Sequence, residues 1–314
     1  MQASPETLTA WPVRHVPMPR RISVLKVGGV LVAYFALSCF WELLFVRDSA
    51  RWFPPVTWLW RTTDGLVNVT LSANLINQLI LIGVLLLGLC RVRPKELGLE
   101  PAKLPAALGL TALIWAVSQI VFVIILAFSN QSIELNPEWT ATSWTRAAGH
   151  WLGQLFGNTP LEEVVFRGFL LPQCLLLMLS WKPTARPWMQ IAVALVLSQL
   201  VFALFHIFFN WRQPQGQWLL LAQFVMGLAF AGIYLRTGNL FLAMGVHTLS
   251  NNPSPLIKEP FDGPGLGGGL IMLATLLAVI FGPWAVQFAR RLVISTKLRA
   301  TSLAHRLPST IRRG

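Results

Sequence analysis

Glu162, Glu163 and Arg167 lie inside an apolar run at residues 147 to 180, where charged side chains are out of place. At the centre of a membrane helix each would cost at least about 2.5 to 3.5 kcal/mol unpaired, so such groups face a bundle interior and are paired or used. Glu163 and Arg167 have the i, i+4 spacing of a helical ion pair. Glu162 points about 100° away and is left over. Two uses fit. One is a structural charge cluster that locks helix packing; the other is a brace of Glu163 and Arg167 beside a general base, Glu162. Two histidines in other apolar runs, His206 and His247, bear on the choice, and His247 shares a helix face with Asn251 four residues on. Singly, each histidine fits an interhelical hydrogen-bonder better than a site residue. Together, a carboxylate, two imidazoles and a carboxamide from three runs could activate water and donate to the oxyanion formed when water attacks an amide.

The elements that must position these groups are membrane helices. Of 314 residues 54% are hydrophobic and 12% charged, with mean hydropathy +0.59, whereas soluble domains spend about a quarter of their residues on charge. Such a chain cannot cover itself with polar surface, and a bilayer removes the need. Apolar runs at 27 to 46, 71 to 90, 104 to 128, 147 to 180, 188 to 209, 217 to 235, 240 to 257 and 265 to 289 predict an all-α, polytopic bundle of about eight transmembrane helices. It spans residues 27–289, between basic tails at 1–26 and 290–314. The first run reads as a retained anchor, since it is a full span with no small-residue cleavage site after it. The fourth is longer than a bilayer needs, and Gly168 followed by Pro172 offers a place to bend or break it. The seventh ends in polar residues from His247 to Asn252 and needs protein partners on one face.

Positive charge orients the chain. With the N-terminus inside, 18 Lys and Arg residues fall on that side, six on the other, and Arg167 within the fourth run. The positive-inside rule therefore predicts a multi-pass protein of the cell membrane with both termini cytoplasmic. The net charge of +13 follows from topology and attraction to anionic lipid, and no motif supports nucleic-acid binding. Cys39, Cys90 and Cys174 lack paired spacing and read as core residues. Glu42, near the end of the first run, reads as interfacial.

Three segments resemble motifs of the CAAX-protease and bacteriocin-processing (CPBP, or Abi) intramembrane proteases. They are Pro160 to Gly168 (PLEEVVFRG), Phe202 to His206 (FALFH) and His247 to Asn251 (HTLSN), matching EExxxR, FxxxH and HxxxN in order on separate runs. The stretch Gly232 to Leu240 is similar to the lead-in to the third motif. The resemblance implies an intramembrane endopeptidase with Glu162 as the base acting with His206 on water, and with His247 and Asn251 supporting the oxyanion. Glu163, Arg167 and Phe202 would support the site. The implied substrate is a membrane-associated peptide or protein, such as a lipid-modified or CAAX-like one. The alternative is a non-catalytic membrane protein of the same fold, acting in bacteriocin self-immunity or assembly.

No cofactor is favoured. Glu162, His206 and His247 form a legitimate zinc ligand set, but the resemblance to eukaryotic CAAX endopeptidases implies a metal-independent glutamate mechanism. One difficulty is depth. On straight helices His206 lies about 18 residues into the fifth run and His247 about 7 into the seventh, a mismatch at 1.5 Å per residue.

Overall fold

A computed structural model describes residues 16–45, 54–137, 139, 144–181, 186–207, 216–253 and 256–258. Its helices are α1 (Val24–Phe45), α2 (Pro54–Thr62), α3 (Val69–Leu89), α4 (Leu104–Phe128), α5 (Trp144–Trp181), α6 (Pro187–Phe205), α7 (Gly216–Thr237) and α8 (Leu240–Asn251). Among the described residues the one extended pairing is an isolated bridge, Leu135 with Ile257. Six helices are long and apolar enough to cross a membrane: α1, α3, α4, α5, α6 and α7. The all-α polytopic fold is thus as expected, and the eighth run, 265 to 289, lies outside the described residues. Residues 16–23 pack onto the bundle: Val16 and Ile22 are buried, and the Gln173 carboxamide takes the Ile22 N–H (3.0 Å) and donates to the Arg20 carbonyl (3.0 Å).

The fourth run does not break at Gly168 and Pro172. It forms one helix of 38 residues in which α-helical turns alternate with π-wound segments at Gly153–Asn158 and Glu163–Leu170. Both π segments end two residues before a proline, Pro160 and Pro172. A proline ring collides with the carbonyl four residues back and supplies no N–H. A wider i→i−5 turn moves that carbonyl aside, and the helix continues. The Thr159 N–H accordingly reaches the Gln154 carbonyl, and the Leu171 N–H that of Phe166.

α5 runs through the centre, with every residue from Leu161 to Gln173 buried. Gly149, Gly153 and Gly157, at four-residue spacing, let α3 and the turn before it approach closely. A Cβ at Gly149 would stand 2.0 Å from the Gly65 carbonyl oxygen, and one at Gly157 3.1 Å from that of Thr70. Small residues one turn apart are how membrane helices meet when lipid supplies no hydrophobic drive.

α8 has twelve residues, too few to span a bilayer. Asn239 caps it, accepting from the Leu242 N–H at 3.2 Å while donating to the Lys103 carbonyl at 3.0 Å. That cap fixes the start of α8 beside the start of α4, and Leu240, Leu242 and Ala243 are no more than 1% exposed. His206 and His247 nonetheless both come near Glu162, at 3.9 and 3.6 Å, so the unequal lengths of chain that lead to them do not keep them apart.

Contact between α8 and α4 leaves no room at Gly245, where a Cβ would lie 2.1 Å from Thr111 Oγ1. Gly232 on α7 has nothing within 4 Å of the same point. Gly245→Ala is therefore expected to destabilise by about 1 to 3 kcal/mol through overpacking. Gly232→Ala is expected to be neutral or stabilising by up to about 1 kcal/mol through helix propensity. Thermal unfolding in detergent checks the contrast, and adding Thr111→Ala should recover part of the Gly245→Ala loss.

Candidate active site

Arg167 is fully buried, and its Nη1 donates to Glu163 Oε1 at 2.9 Å. Its guanidinium lies over the Phe202 ring at 4.1 Å and within 5.4 Å of the Phe230 centroid, so aromatic faces replace part of its hydration. Nη2 also approaches the Gly227 carbonyl at 3.4 Å. The expected i, i+4 pair is present, but Glu163 is shared, because His247 Nδ1 meets the same Oε1 at 2.7 Å. A carboxylate already holding an arginine can only accept there, so Nδ1 carries the proton. His247 stacks on Phe230, with centroids 4.3 Å apart and planes at 20°. Carboxylate and ring together fix its orientation.

His206 caps the end of α6. Its Nδ1 is 2.9 Å from the Phe202 carbonyl, which can only accept, so this nitrogen too is protonated. The ring also meets the Phe202 ring edgewise at 4.7 Å. Phe202, fully buried, thus touches Arg167 and both histidines. That is the physical content of an aromatic residue one turn before the histidine.

Both imidazoles turn Nε2 toward Glu162. His247 Nε2 is 3.6 Å from Oε2 and His206 Nε2 is 3.9 Å from Oε1. In a neutral ring protonated at Nδ1, Nε2 offers a lone pair, here toward a carboxylate that is itself an acceptor. Among the described residues Glu162 Oε2 has no hydrogen-bond partner. Three acceptors at separations beyond a direct hydrogen bond suit a molecule that brings its own hydrogens, such as water.

Glu162 and His206 form part of the wall of a cavity of about 350 Å³ between α1 and α3, with Ser38, Glu42, Asn74 and Asn158 also in its lining. Glu42, expected only at an interface, therefore faces the same space as the buried glutamate. The first helix closes the cavity: Tyr34 meets Phe166 and Phe205 edge-on at 5.2 and 5.4 Å.

Of the residues singled out in the sequence, the fold brings Glu162, Glu163, Arg167, Phe202, His206 and His247 together. Asn251 stands apart on the exposed end of α8, donating Nδ2 to Gln154 Oε1 at 3.0 Å. Between them Thr159 and Thr248 pair through their hydroxyls at 2.8 Å. Gln154, Thr159 and Glu163 thus face Asn251, Thr248 and His247 as α5 and α8 run antiparallel. Gln154 and Thr159 escaped sequence reading because five residues separate them, which is one turn only in a π segment. Among the described residues no group of three or more His, Cys, Asp or Glu is placed to hold a metal ion.

Residues 142–252 match the family model described as Type II CAAX prenyl endopeptidase Rce1-like. That stretch holds all three motifs and bears out the resemblance read from them. No curated protein and no solved structure matches the chain.

Removing Arg167 alone would strand Glu163 in a site with no exposure. Arg167→Leu is expected to cost about 3 to 5 kcal/mol, the usual penalty for breaking a buried pair. Glu163→Gln combined with Arg167→Met removes both charges and should be less harmful than Arg167→Leu, in detergent unfolding and in yield of monodisperse protein.

Proposed function

We propose that this protein is an intramembrane endopeptidase in which Glu162 and His206 activate a water for attack on a peptide carbonyl. The observation that carries the reading is the convergence of Glu162 with both Nε2 atoms, at 3.6 and 3.9 Å, in and directly behind the wall of a cavity. A water held by Glu162 and His206 gives up a proton as its oxygen bonds to the carbonyl carbon. The proton passes to the amide nitrogen as the C–N bond breaks, leaving a carboxylic acid and an amine. His247 and Asn251 are proposed to donate to the oxyanion. For His247 the donating atom would be Nε2, which must carry a proton to do so, while Nδ1 is held by Glu163. Glu163 and Arg167 act through His247 and touch no substrate.

Should a zinc ion bind, Glu162, His206 and His247 would hold it. No step above is routed through a metal. The substrate class proposed is a membrane-associated protein, with lipid-modified or CAAX-like C-termini as the first to try. The asymmetry of Lys and Arg supports an orientation in the cell membrane with both termini cytoplasmic.

Glu162→Gln keeps the shape of the side chain and removes the base. Cleavage is expected to fall by about 100- to 10,000-fold while the protein stays folded in detergent. The measurement is a comparison of protein termini in membranes from cells making either form, followed by cleavage of a peptide spanning any terminus that needs Glu162. A fully active Glu162→Gln protein would sink the assignment, and abolition of wild-type activity by a zinc chelator would replace it with a metal mechanism.

A further inference from the structure

A carbonyl attacked beside Glu162 and His206 needs a hydrogen-bond donor on the same cavity wall. Among the residues named by the motifs, Asn251 lies on the exposed end of α8 and His247 is 3% exposed behind Glu162. Neither lines the cavity, whereas Asn158 does. Asn158 precedes Glu162 by four residues, with its side chain on the same side of α5, and its carboxamide is part-buried.

Its orientation is set by Gln154. Gln154 Oε1 accepts from Asn158 Nδ2 at 3.4 Å and from Asn251 Nδ2 at 3.0 Å. Gln154 itself is held in the π segment, where its backbone carbonyl takes both the Thr159 N–H and, at 2.9 Å, the Thr159 hydroxyl. A carboxamide nitrogen carries two hydrogens. Gln154 engages one from each asparagine and leaves each with a second to give.

We infer that Asn158, oriented by Gln154, donates a hydrogen bond to the substrate carbonyl at the Glu162 and His206 cavity and to the oxyanion that forms there. The inference rests on the peptidase reading above and deepens it. Asn158 is then a catalytic residue and Gln154 a positioning residue. One carbonyl acceptor of Gln154 engages two donors, Asn158 in the cavity lining and Asn251 at the exposed end of α8, so the carbonyl-binding group of this site is supplied in part by α5, the helix that supplies the base.

The test uses the full-length protein in detergent and the peptide substrate defined by Glu162-dependent termini. Asn158→Ala and the near-isosteric Asn158→Asp both remove the donor. Each is expected to lower kcat about 100- to 1,000-fold, as loss of one oxyanion donor does, with KM within about threefold and unfolding temperature close to that of the parent. Gln154→Leu should lower kcat about tenfold, a loss of roughly 1.4 kcal/mol, and Gln154→Glu, which keeps an acceptor, should recover most of it. A merely structural role would not follow acceptor chemistry in this way. Asn158→Asp with parental kcat, or a change confined to KM, overturns the inference while Glu162→Gln stays inactive and the peptidase reading stands. If no terminus depends on Glu162, the peptidase reading is overturned and this inference falls with it.

Discussion

The buried ion pair of Glu163 and Arg167 is the interaction on which the site depends. Arg167 has no exposure, so its charge must be met inside the fold, and the surroundings do this with one carboxylate, one backbone carbonyl and two aromatic faces. Those partners come from α5, α6 and α7. Placing Arg167 therefore fixes the spacing of three helices at one level. Gly227 is part of the same constraint, since a Cβ there would stand 3.0 Å from the Phe202 ring and 3.3 Å from Arg167 Nη2. α8 joins through His247, which shares the same Glu163 oxygen. A buried pair of this kind adds little net stability over apolar packing. Its effect is to admit one arrangement of the helices that carry Phe202, His206 and His247.

The two π-wound segments have a related consequence. In an unbroken α-helix Gln154 and Thr159 would project about 140° apart, from 100° per residue. The π turn brings them onto one face and lets that face meet α8 at three levels, through Asn251, Thr248 and His247. The prolines that follow each segment make the wider turn the cheaper conformation. A local backbone requirement thus sets which side chains α5 turns toward its neighbour.

Sequence patterns revealed much of this and stopped where geometry became non-local. Apolar runs disclosed the long helices because 20-residue stretches have few other uses, and the charges in the fourth run disclosed the site because lipid makes them expensive. The i, i+4 spacing of Glu163 and Arg167 was legible for the same reason. The sharing of Glu163 with His247 was not, because a carboxylate oxygen accepts twice and spacing counts it once. Pro172 read as a break; whether a proline kinks a helix or is absorbed by a wider turn depends on what packs around it. Gln154 and Asn158 carry no charge, so nothing in composition sets them apart from polar residues that face one another for packing alone. That Glu42 lines the same cavity as Glu162 was not legible either, since a position near a helix end says nothing of the space that α1 and α3 enclose.

Why two adjacent glutamates, rather than two placed at leisure, follows from the junction they occupy. Glu162 is the last residue of an α-helical turn and Glu163 the first of a π segment, so one faces the cavity while its neighbour faces the interior. His247 touches both, Nδ1 at Glu163 and Nε2 near Glu162. A rotation of α5 that withdrew Glu162 from the cavity would pull Glu163 away from His247. The brace and the candidate base are thereby set by one helix rotation. The imidazole held between them ties the position of the cavity-facing acid to that of the ion pair behind it.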